Sequence, residues 1–76
     1  MAKAPTTERP KTLDTLVALV DLAIPHRFHD RNPSLSDIAR LTNATSRVLR
    51  FSNVDERIET ENRATLLIAK KLQLIA

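Results

Sequence analysis

Apolar residues in this chain recur at helical spacing rather than in alternation. Leu13, Leu16, Val17, Val20, Ala23 and Ile24 fall three and four positions apart, Leu19 and Leu22 widen the stripe, and Asp14, Thr15 and Asp21 lie off it. Thr12 can cap this first helix, Asp14 suits its positive N-terminal end, and Pro25 is expected to stop it close to Ile24. Residues 25–33 (PHRFHDRNP) read as a polar linker bounded by prolines. Ser34 or Ser36 then caps a short helix with Leu35, Ile38, Ala39 and Leu41 as its apolar positions, broken at Thr42 and Asn43. The next apolar set, Val48, Leu49 and Phe51, predicts a third helix over about Thr45 to Phe51 with Ser46, Arg47 and Arg50 facing outward. Asn53, with Glu56 three residues on, opens a last helix from Val54 to about Leu74, a rod of about 30 Å. Its first half is polar and acid-rich, and its second half is apolar on more than one face.

Composition turns this pattern into a fold class. Glycine is absent and the only aromatics are Phe28 and Phe51. Tight turns between strands use glycine at positive φ, so a small sheet protein without any is excluded. The chain is predicted to be all-α: a compact three- to four-helix domain with a helix-turn-helix over about 34–53 and a longer C-terminal helix over about 54–75. Residues 1–11, with two prolines and a basic excess, read as a flexible basic arm ahead of the helical domain at 12–76. An apolar fraction of 42% with a net charge of +3 excludes a disordered chain.

The same composition removes several chemistries. With no Cys there is no disulfide framework, thiolate zinc site or cysteine nucleophile, and with no Gly there is no phosphate-binding glycine loop. No apolar run is long enough to span a bilayer and residues 1–11 do not resemble a signal peptide, so a cytoplasmic location without a membrane partner is expected. His26, His29 and Asp30 invite a metal reading, but they sit between two prolines with few further ligands nearby. No metal or cofactor is therefore expected. No nucleophile, base and orienting group converge, so the chain is not expected to be an enzyme. A domain of this size buries only about 60% of its unfolded surface, which points to reinforcement by oligomerisation.

The segment from Ser34 to Phe51 (SLSDIARLTNATSRVLRF) has the layout of a helix-turn-helix: Ala39 as the small residue at the crossing, Asn43 at the turn, Ala44 and Leu49 as anchors. Leu35-Ser36-Asp37-Ile38-Ala39-Arg40 resembles the opening of the helix-turn-helix in lactose-repressor-like and isocitrate-lyase-regulator-like bacterial repressors. Ser46-Arg47-Val48-Leu49 is similar to the stretch that follows in the lactose-repressor type, at a spacing longer by about four residues. The resemblance covers residues 34–54. Asn43 stands where that family has glycine, and Thr42 and Ser52 stand at positions normally apolar. A generic helical bundle remains the competing interpretation of the segment.

A helix-turn-helix implies a DNA-binding role. Its second helix would enter the major groove, with Thr45, Ser46, Arg47 and Arg50 toward the base edges. Arg40, Lys3, Arg9 and Lys11 would contact phosphates. Residues 40–52 hold three arginines and no acid, which sets them apart from the acid-rich run at 55–61. The leading expectation is a small, sequence-specific, DNA-binding transcriptional regulator, acting on double-stranded DNA as a homodimer joined through Leu66, Leu67, Ile68, Leu72, Leu74 and Ile75. The alternative is a helical protein–protein interaction module, an adaptor or inhibitor that uses the acidic and apolar surfaces of the C-terminal helix.

Overall fold

A computed structural model describes residues 11–75, and the arm residues Lys3 and Arg9 lie outside it. Three helices account for the described chain: α1 (Lys11–Arg27), α2 (Leu35–Ser46) and α3 (Val54–Lys71). Each packs on the other two, giving a three-helix all-α domain. The core is formed by Leu16 and Val20 of α1, Ile38 and Leu41 of α2, and Ala64 and Ile68 of α3. Leu13, Val17, Ala23 and Ile24 pack around it half-buried, as the spacing of α1 predicts. Leu22 does not join them: it is 69% exposed. Among the described residues no helix is long and apolar enough to cross a membrane.

Helix α1 runs through Pro25 to Arg27 instead of stopping near Ile24. Proline at this point removes one N–H, the partner of the Asp21 carbonyl, so its cost falls on the last turn only. That turn is held by the Phe28 amide donating to Ile24 O at 2.9 Å. Asp21 is tied separately, its carboxylate accepting from Lys71 Nζ at 2.8 Å and so joining α1 to the end of α3.

Helix α2 begins where the sequence places it. Ser34 is the N-cap: its Oγ accepts from the Asp37 amide at 3.2 Å, and Asp37 Oδ2 accepts from the Ser34 amide at 3.0 Å, a reciprocal capping box. The end of α2 differs from expectation. The predicted turn at Asn43 is absent, α2 continues unbroken to Ser46, and the predicted helix at 45–51 is replaced by a non-helical connection over 47–53. Thr42 explains part of the difference. Fully buried, it donates its hydroxyl to the Ile38 carbonyl at 2.7 Å, which satisfies the side chain within its own helix and leaves no reason to break there. Asn43 has no left-handed backbone; Gln73 is the only described residue that does. The helix then tightens to a close, with Arg47, Val48 and Leu49 amides donating to Ala44, Thr45 and Ser46 carbonyls.

Helix α3 opens as predicted, with Asn53 Oδ1 accepting from the Glu56 amide at 2.8 Å, while Glu56 Oε1 accepts from the Ser52 amide at 2.7 Å. It ends at Lys71, earlier than Leu74. Gln73 at φ 62° turns the chain, and the Leu74 amide returns to Ala69 O at 2.8 Å while the Gln73 amide reaches Lys70 O at 3.0 Å. This is a Schellman closure, and it carries Leu74 back against the core.

Candidate nucleic-acid interface

The longer α2 redistributes the predicted site. Ile38, Leu41, Thr42 and Ser46 face the core, so Arg40, Asn43, Ala44 and Arg47 share the opposite, exposed face. Their spacing carries Arg40, Asn43 and Arg47 along about 10 Å of helix. At one flank the end of α1 contributes Arg27 and, just beyond it, Phe28 and Arg31. These side chains line an open groove of about 540 Å³ with Arg40, Asn43 and Arg47. Four arginines therefore converge on one surface.

Only one of the four has a counter-charge among the described residues. Arg31 Nη1 donates to Asp37 Oδ2 at 3.0 Å, and its guanidinium lies 4.8 Å from the centre of the Phe28 ring. Asp37 is the groove's single acid, and it is committed to this pair and to the α2 cap. The Ser34 amide and then the Arg31 guanidinium hold its carboxyl below the usual carboxylate range. Arg27, Arg40 and Arg47 form no ion pair with a described residue.

An α3 carboxylate, Glu61, borders this surface at Asn43 and Arg47 but is held by other partners. Glu61 accepts a hydrogen bond from the Ser46 hydroxyl and sits 3.8 Å from Arg57 Nε. It shares a second groove of about 420 Å³ with Asn43, Arg47 and Arg57. Ser46 also lies 2.9 Å from Asn43 O, so its one hydroxyl proton is divided between a helix carbonyl and the α3 carboxylate. The contact ties the end of α2 to the middle of α3.

Of the predicted base-facing set, Arg47 and Arg50 are exposed, Thr45 is half-buried, and Ser46 is fully buried. Ser46 cannot reach a ligand, because the residue facing the core at that turn belongs to α2 and not to a separate reading helix. Arg40 is exposed as expected. Lys11 is the first residue of α1, at the helix end opposite Arg27. Arg27, Arg31 and Asn43 belong to the surface without having been predicted. For Asn43 the available signal was its helical spacing from Arg40 and Arg47, hidden by the expectation of a turn at Asn43; Arg31 lies beyond the end of α1, where helical spacing carries no signal.

The predicted subunit-contact residues also divide. Leu66, Leu67 and Leu72 are exposed and Ile75 is half-buried, whereas Ile68 is fully buried in the core and Leu74 packs against it. Ile68 and Leu74 therefore serve the domain's own packing. His26, His29 and Asp30 are exposed, and among the described residues no group of three His, Cys, Asp or Glu could hold a metal ion. No family model, curated protein or solved structure matches this chain.

Proposed function

We propose that this chain is a small DNA-binding regulator that grips the duplex with the outer face of α2 and the arginine-bearing end of α1. The observation that carries the reading is the convergence of Arg27, Arg31, Arg40 and Arg47 on one groove whose only acid is already paired. Phosphate oxygens favour such a surface, because neutralising them releases condensed counterions. Arginine and asparagine at 40, 43 and 47 also supply the two side-chain types that make bidentate contacts, Arg to guanine and Asn to adenine. In this arrangement α2 itself takes the groove, in place of a helix at 45–51; Arg27, Arg40 and Arg47 are the arginines open to phosphate, while Arg31 stays on Asp37 and Phe28.

The test is fluorescence anisotropy of a labelled duplex titrated at low and near-physiological salt. Wild type should bind at low salt and weaken steeply as salt rises. Arg40→Ala with Arg47→Ala should lower affinity at least about tenfold and flatten the salt slope by about two, one for each lost phosphate contact. Absence of binding at low salt removes the reading.

A second reading, a protein–protein interaction module, draws on a different observation: Leu66 and Leu67 on α3 are about half exposed. Under it the double arginine variant would be silent in every binding assay, and the loss would follow substitutions on α3.

A further inference from the structure

The intramolecular core leaves two apolar pairs of α3 open to water, Val54 with Ile58 near its start and Leu66 with Leu67 near its end. Leu66 and Leu67, 52% and 49% exposed, line an open groove of about 450 Å³ with Leu13 and Ile75, rimmed by Arg63 and Lys70. Helical spacing extends the same face back to Glu59, so the stripe reads Glu59, Arg63, Leu66, Leu67, Lys70. An acid toward the start of a helix and bases toward its end suit the helix dipole, and that accounts for the charges alone. It does not account for two leucines half open to water between them. Among the described residues the buried apolar side chains are few, Leu16, Val20, Ile38, Leu41 and Ile68 with Ala64 and Ala69, so covering these leucines would add materially to stability.

The charge order selects what covers them. Laid antiparallel on a second copy, with the two-fold axis crossing between Arg63 and Leu66, the stripe is complementary to itself. Glu59 of each copy meets Lys70 of the other, and beside the axis each Leu66 lies against the Arg63 stem of the other copy. A parallel pair would set like charges side by side. The in-chain pair between Glu59 and Arg63 offers no obstacle: at 3.8 Å between side chains 71% and 65% exposed, it is a weak surface contact. Lys71 is already held by Asp21 and plays no part. The groove opens beside the first turn of α1, whereas the arginine surface sits beside its last turn, about 20 Å along the helix axis, so the two faces are separate.

We propose that this stripe of α3 is a homodimer interface in which α3 of one copy packs antiparallel on α3 of the other. The inference rests on α3 and the start of α1 and not on DNA binding, and its test contains no DNA.

Sedimentation equilibrium of the full chain across the micromolar to millimolar range is the experiment. Wild type should populate a dimer, and Leu66→Glu should sediment as a monomer with an unchanged circular-dichroism spectrum. Glu59→Lys and Lys70→Glu should each weaken association about tenfold by facing like charges, and the two combined in one chain should restore it. Both reversals sit at exposed positions, so they keep the question answerable if Leu66→Glu perturbs the fold. Wild type that stays monomeric throughout overturns the proposal and leaves the stripe to an unlike protein. A combined variant weaker than either single reversal overturns the antiparallel pairing.

Discussion

Two connections of equal length join the helices, residues 28–34 and 47–53, and they use their charges in opposite ways. Each sends one apolar side chain back to the core, Phe28 in the first and Leu49 in the second. Each ends on a polar cap, Ser34 and Asn53. In the first, Arg31 is consumed by local structure: it stacks on Phe28 and pairs with the same carboxylate that caps α2. In the second, Arg47 borders a groove with Glu61, yet neither it nor Arg50 forms an ion pair with a described residue. Similar backbone solutions thus leave one connection electrically closed and the other open, and only the open one has charge to offer a ligand.

The sharpest way to break that contrast is to remove the apolar anchors. Phe28→Ala should cost about 2–3 kcal/mol, below the fully buried range because the ring is half-buried, and Leu49→Ala about 1–2 kcal/mol. The extra loss at 28 includes the cation contact from Arg31. Chemical denaturation reads both, and a larger loss at 49 would reverse the ranking of the two connections.

The caps come next. Ser34→Ala and Asn53→Ala should each lower stability by about 1 kcal/mol, visible as matched shifts in denaturation midpoint. A clear inequality would mean that the reciprocal bond from Asp37 reinforces one cap beyond the other.

Smaller still is a pH effect confined to the first connection. Asp37 is held below the ordinary carboxylate range in the folded state, so the unfolded chain binds its proton more readily. Its contribution is therefore complete above the unfolded-state pKa and is lost as pH falls through the folded-state value. Asp37→Asn should flatten acid destabilisation relative to wild type, and an unchanged slope would remove the role given to this carboxylate. At the bottom of the scale, Arg47→Ala with Arg50→Ala should change stability by no more than about 0.5 kcal/mol, since neither side chain supports the fold. A larger loss would show that the second connection is not electrically open.

Much of the fold was legible along the chain because helix starts carry local chemistry. Ser34 and Asn53 are both N-caps, and the apolar spacing of α1 identified Leu16 and Val20. Helix ends were less legible because tertiary context decides them. Pro25 is tolerated two residues before the end of α1, and Thr42 satisfies its own hydroxyl by bonding backward. Reading Thr42 and Asn43 as a break split one helix into two, and that split placed Ser46 on a surface when it belongs to the core. The arginines at 40 and 47 kept their exposure, but the face they share and its neighbours Arg27 and Arg31 depend on how α1 ends against α2.

Gln73 is the one described residue with a left-handed backbone, in a chain that has no glycine at all. It occupies the position after the helix cap where glycine is most favoured, because a β-carbon there crowds the following carbonyl. The protein therefore has an unused substitution: Gln73→Gly relieves that crowding while leaving every side-chain contact described above in place. Such a background, more tolerant of damage elsewhere, would widen the range of substitutions that the buried core at Leu16, Ile38 and Ile68 can absorb.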